Sequence, residues 1–213
     1  MRSGRGHLLA LVGSLALVFA AGSAHAQDET QLVVGAHLYP KPRGLTYVYG
    51  HIKPPLGVPL TQFGGQTVVI YESVFPFLAW QQLATLTTDW QGYFSLSQTI
   101  TQNTAYRAVW QTNPPLQSKD RLVTLPLQVT LSARARGRHV TFSGGTSPPH
   151  PGALVALQEM DEHGRFRTVG TAKLAPTNSF QRSWRLRRGG VFRALVKGDG
   201  LYGVGVSRPL RVR

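Results

Sequence analysis

Apolar and polar positions alternate along this chain in short bursts. In the C-terminal half Val129, Leu131 and Ala133 are separated by polar residues, and Val140 and Phe142 resume the pattern after Gly137. Leu154 to Leu157 is a short apolar run. Phe166 and Val169 follow Glu162-His163-Gly164, and Phe180, Trp184 and Leu186 fall on one face of the next segment, before Arg188-Gly189-Gly190. Val191 to Val196 and Val204 to Val212 complete the series, divided by Asp199-Gly200. Successive side chains of a strand point to opposite faces. Period-two bursts punctuated by Gly, Pro and Asp-Gly at roughly 8–12-residue spacing therefore predict an all-β sandwich. No window sustains a helical period.

The pattern also repeats. Gly65-Gln66-Thr67-Val68-Val69-Ile70-Tyr71-Glu72 aligns with Gly152-Ala153-Leu154-Val155-Ala156-Leu157-Gln158-Glu159 at an offset of 87 (152 minus 65). Phe94, Ile100 and Tyr106-Arg107-Ala108 align with Phe180, Leu186 and Phe192-Arg193-Ala194 at 86 (180 minus 94). Ser118 and Val123 align with Ser207 and Val212 at 89 (207 minus 118), and Tyr47-Val48-Tyr49-Gly50 resembles Thr141-Phe142-Ser143-Gly144. A drifting offset is what loop insertions in two copies of one unit produce. The sequence thus predicts two tandem immunoglobulin-like antiparallel β-sandwiches, at 27–125 and 126–213. The link Thr124-Leu125-Pro126 is too short to give slack, which predicts a semi-rigid, end-to-end pair.

Residues 1–26 read differently. Arg2 and Arg5 precede an uncharged apolar run from Leu8 to Ala21, and Ala24-His25-Ala26 is a small-x-small cleavage site. This is the pattern of a secretory signal peptide, with Gln27 as the new N-terminus. The run is shorter than the roughly 20 residues of a membrane span and is followed by Asp28 and Glu29. No integral membrane span is expected after cleavage, and the predicted location is the medium, the periplasm or the cell envelope. The chain has no cysteine, which excludes disulfides, thiol catalysis and thiolate metal sites.

The motifs resemble a known group. Gly50, Gly65-Gln66-Thr67-Val68-Val69-Ile70, Thr87-Thr88-Asp89-Trp90-Gln91-Gly92-Tyr93-Phe94 and Tyr106-Arg107-Ala108 are similar to the bacterial Ig-like and carboxypeptidase-regulatory-like (transthyretin-like) modules. The second copy keeps Gly152-Ala153-Leu154-Val155 and Phe192-Arg193-Ala194 but departs at Leu174-Ala175-Pro176-Thr177-Asn178-Ser179-Phe180. The resemblance implies stalk, spacer or adhesive units of secreted and surface proteins, without catalysis or a cofactor.

The residues themselves point the same way. Asp89-Trp90-Gln91-Gly92 reads as a tight hairpin, with Asp accepting backbone hydrogen bonds and Gly supplying positive φ. Phe94, Ile100, Phe180, Trp184 and Leu186 read as core. Trp80, Trp90 and Trp110 could stack on a sugar, but packing is the simpler role for each, and Trp90 at a turn tip is the one expected to be exposed. His37, His51, His139, His150 and His163 are scattered, without metal-ligand spacing. Only Glu159-Met160-Asp161-Glu162-His163 clusters acids, with the composition of a solvated hairpin tip. No nucleophile elbow or phosphate loop occurs. The reading is a non-enzymatic structural or adhesive protein of the bacterial cell envelope, with no cofactor and no metal.

Charge alone suggests a binding role. From 27 to 125 there are 6 Lys/Arg and 5 acids, net +1; from 126 to 213 there are 15 and 4, net +11. The candidate polyanion-binding residues are Arg134, Arg136, Arg138, Arg185, Arg187 and Arg188. Period two sets Arg185 and Arg187 opposite Trp184 and Leu186, whereas Arg182 shares register with core residues and is expected at a strand end. Such a surface suits cell-wall or other anionic polymers, with another envelope protein as a further partner class. Nucleic acid is disfavoured, because no stacking residues interleave the arginines. Arg outnumbers Lys 18 to 5, a skew that GC-rich coding also produces.

Overall fold

The computed structural model describes residues 29–41, 43–186 and 189–213. The leader expected at 1–26, and Arg187 and Arg188, lie outside the described residues.

The chain folds as two tandem immunoglobulin-like antiparallel β-sandwiches. The first is built from β1 (Gln31–Leu38), β2 (Leu45–Lys53), β3 (Thr67–Val74), β4 (Gln81–Thr87), β5 (Tyr93–Thr99), β6 (Thr104–Trp110), β7 (Leu116–Gln117) and β8 (Arg121–Val123). The second is built from β9 (Gln128–Val129), β10 (Ser132–Arg136), β11 (His139–Ser147), β12 (Leu154–Met160), β13 (Phe166–Lys173), β14 (Ser179–Arg185), β15 (Gly190–Val196), β16 (Gly205–Val206) and β17 (Leu210–Val212). One short 3-10 turn, Leu60–Phe63, is the only helical element among the described residues.

The two copies share a topology. Sheet β1-β2-β5 faces sheet β4-β3-β6, whose far edge is closed by β7 and then β8. In the second copy β10-β11-β14, with β9 beside β11, faces β13-β12-β15, closed by β16 and β17. A register shift falls between Ile70 and Tyr71 in β3 and between Leu157 and Gln158 in β12, the same offset of 87 (157 minus 70).

Period two does what it predicts in β2. Thr46, Val48, Gly50 and Ile52 point inward and are buried, while Tyr47, Tyr49 and His51 point out. Val48 and Ile52 pack with Leu32, Val68, Ile70, Phe94, Tyr106 and Ala108 into one core. The second sandwich has two adjoining clusters. Leu127, Val129, Val155, Phe180 and Val196 form one; Val140, Phe142, Leu157, Phe192 and Val212 form the other. Leu131 touches both.

Several devices recur. Gly50 pairs with Phe94 and Gly144 with Phe180. In each case a Cβ on the glycine would collide with the facing ring and with a backbone carbonyl, so only glycine lets the phenylalanine lie across the strand. Where the last strand breaks, a serine completes the ladder. Ser118 Oγ accepts the Ala108 amide at 2.9 Å, and Ser207 Oγ accepts the Ala194 amide at 2.9 Å.

Four details differ from the sequence reading. Asp89-Trp90-Gln91-Gly92 is not a hairpin, because β4 and β5 belong to opposite sheets; it is a corner, in which Asp89 Oδ1 accepts the amides of Gln91 and Tyr93. The divergent turn of the second copy has the same shape. Gly92 donates to the Asp89 carbonyl at 3.0 Å and Asn178 to the Ala175 carbonyl at 2.8 Å, with φ at +82° and +58°. Asn is the residue besides glycine that tolerates this left-handed position. The last segment, Val204 to Val212, is two short strands broken at Ser207-Arg208-Pro209. Arg182 lies mid-strand, opposite Phe142, yet is exposed. Strand β14 is an edge strand, so the long Arg stem leaves the core register sideways and its guanidinium lies 5.5 Å from the Trp184 ring.

Candidate anion-binding face

Two strands of the second sandwich, β10 and β14, and the loop after β10 carry the described candidate arginines. Gly137 adopts φ +60° and with Arg138 makes a two-residue loop between β10 and β11, which pairs Arg136 with His139. That loop sets the register of the whole outer face. Arg136, His139 and Arg185 form one cross-strand row; Arg134, Thr141 and Ser183 form the next; Ser132, Ser143 and Gln181 form the third. Thr141 and Ser183 hydroxyls bond at 2.8 Å, as do those of Ser132 and Ser143. Arg138 stands at the loop tip, beyond the rows, where its carbonyl accepts the Leu186 amide.

The fold therefore gathers Arg134, Arg136 and Arg185, sets Arg138 at their border, and adds His139, which scattered histidine spacing did not reveal. Pairing register is the signal that finds it. Arg134, Arg136, Arg138 and Arg185 are all exposed, and none is in an ion pair among the described residues.

Four other arginines are engaged. Arg165 and Arg167 lie 3.5 and 2.9 Å from Asp161. Asp161 also accepts the Arg165 and His163 amides, and these bonds, the Arg165 amide foremost, hold its carboxyl below the usual range. Arg193 bonds Gln158 and lies over Phe166, and Arg107 bonds Asp120 and lies over Trp80. One acid, Glu159, lines the same inter-sheet cleft as Arg185, and no ion pair joins them.

A second exposed feature is aromatic. Tyr47 and Tyr49 stack at 5.7 Å, His51 lies 5.2 Å from Tyr93, and Tyr49 folds over Gly35 on the outer face of β1-β2-β5. Of the tryptophans, Trp90 is exposed at 66 %, whereas Trp110 packs on Phe63 and Trp80 sits under Arg107.

No family model matches the chain, and no curated protein matches it. Solved structures similar to it include the following three. A tetra-tandem repeat in the extending region of a large adhesion protein is 15 % identical, covering 86 % of this chain and 49 % of that one, with a TM-score of 0.40. The human OSCAR ligand-binding domain is 12 % identical, covering 85 % and 98 %, with a TM-score of 0.33. The BSP domain of a biofilm associated protein is 15 % identical, covering 84 % and 29 %, with a TM-score of 0.27. The chain spans about half the length of the first. The functional reading rests on the geometry of the chain itself.

Chemistry beyond ion pairing would need converging groups. Among the described residues no three His, Asp or Glu side chains converge as metal ligands, and no helix is long and apolar enough to cross a membrane.

Proposed function

We propose that this is an exported, non-enzymatic protein, with a leader at 1–26 and units at 27–125 and 126–213, that serves as a structural or adhesive module of the bacterial cell envelope. The units would be of the bacterial Ig-like, transthyretin-like kind. One observation carries the reading: the units meet in a bonded, packed seam. Asn103 is buried there. Its amide donates to the Leu201 carbonyl at 2.9 Å, its Nδ2 to the Gly200 carbonyl at 2.7 Å, and its Oδ1 accepts the Leu125 amide at 2.8 Å. Gly203 donates to the Leu125 carbonyl, Phe75 packs on Gly200, and Tyr202 contributes to the cores on both sides. A seam of this kind transmits orientation and load from one sandwich to the next, which is what a spacer must do.

The test is fractionation of the source cell with N-terminal sequencing. Recovery from the envelope or medium, beginning at Gln27, is expected. An unprocessed chain confined to the cytoplasm would end the reading. A second reading, polyanion binding by the second unit, is favoured by the unpaired arginine rows.

A further inference from the structure

We infer that the outer face of β10-β11-β14 takes a linear acidic polysaccharide, laid across the rows that hold Arg134, Arg136, His139 and Arg185. This rests on the polyanion reading and narrows it to one class of polymer.

Charge complementarity is the first argument. The described acids number eight: Glu29, Glu72, Asp89, Asp120, Glu159, Asp161, Glu162 and Asp199. None has a position on this face. Asp161 is committed to Arg165 and Arg167, Asp120 to Arg107, and Asp199 faces His150 at 3.2 Å. On this face the fold sets Arg134, Arg136 and Arg185 together with no acid among them and no ion pair to any described residue. Guanidinium groups present a planar fork of donors that matches carboxylate and sulfate oxygens.

Shape and neighbouring chemistry decide the class. A sheet face is open at both ends and suits an extended chain. Neighbouring strands lie about 4.8 Å apart and alternate residues of one strand about 7 Å apart, so the cations recur along two directions of one plane. The positions between them carry hydroxyls and an amide, from Ser132, Thr141, Ser143, Ser183 and Gln181. These groups can exchange hydrogen bonds with sugar hydroxyls. No aromatic side chain interleaves the rows, as stacking of nucleic-acid bases would require, and no large apolar side chain occupies them, as insertion at a lipid interface would require.

The test compares two charge-matched sets of variants of the full mature chain. Binding of sulfated heparin oligosaccharide and of carboxylate-bearing polygalacturonate is measured by calorimetry at low and at physiological salt, beside duplex DNA and vesicles containing phosphatidylglycerol. The R136S/R185S variant is expected to lose affinity for both polysaccharides about tenfold or more, as charge-assisted hydrogen bonds are removed. The R165S/R167S variant should stay within about twofold of wild type, because those cations are already paired. Replacing hydroxyls, in T141V/S183A, should weaken the polysaccharides and leave DNA unchanged. Thermal unfolding of each variant confirms that it is folded.

Equal losses in both arginine variants would overturn the face in favour of net charge. Wild-type binding to DNA or vesicles as tight as to polysaccharide would overturn the polymer class and leave the polyanion reading standing. No binding to any polyanion would remove both. Response to only one polysaccharide identifies sulfate or carboxylate as the recognised group.

Discussion

Tyr106 is the residue whose chemistry the fold changes most. It is fully buried in the first core, and its hydroxyl accepts a hydrogen bond from Gln98. Burial disfavours the phenolate and pushes its pKa to about 12. The folded value lies above the unfolded one of about 10, so the stabilisation is complete below pH ~10 and is lost as pH rises through the folded value. Tyr106→Phe should therefore unfold less steeply with pH than wild type between about 10 and 12, in denaturant titrations run at each pH. Identical slopes would show that Tyr106 ionises as freely in the folded chain as in the unfolded one. Asn178 is the other residue set by its position. It holds the left-handed turn while its side chain bonds Thr146 twice and the His150 amide once.

At the scale of elements, the two copies use the same closing device. The break between β7 and β8 leaves the Ala108 amide without a strand partner, as the break between β16 and β17 leaves Ala194, and a serine hydroxyl accepts each one. Both amides are buried, and an unsatisfied buried donor costs about 1–3 kcal/mol. Ser118→Ala and Ser207→Ala should each destabilise by that amount, measured by chemical denaturation, and by similar amounts in the two sandwiches. A negligible effect in either would mean that water reaches that amide. The sequence matched these serines across copies, but it could not say why, because the break in the strand is visible only in the pairing.

The whole molecule depends on the seam. With Asn103 in place, every backbone group at the link that reaches Asn103 or Gly203 is bonded, and Tyr202 is shared by two cores. Heating should give one cooperative transition. Asn103→Ala combined with Tyr202→Ala should separate it into two, and small-angle scattering should show a broader spread of end-to-end distances. One transition and an unchanged scattering profile in the double variant would mean that the sandwiches are coupled elsewhere. Each unpaired group left by Asn103→Ala is expected to cost about 1–3 kcal/mol.

Alternation along the chain was enough to determine the class of fold, the duplication and most of the core, because burial on one face of a strand imposes period two wherever it occurs. Phe94, Ile100 and Phe180 were legible for that reason, and so were the turn roles of Asp89 and Gly92. Sheet membership was not legible, so the Asp89 corner read as a hairpin and Arg182 as a strand end. Both depend on which strand lies at an edge, which local sequence does not encode. The arginines could be listed from the sequence, but not sorted. Only strand register put Arg134, Arg136 and Arg185 beside His139, and only tertiary contacts gave Arg165 and Arg167 to Asp161. Charge is a property of residues, whereas unpaired charge is a property of what the fold brings near them.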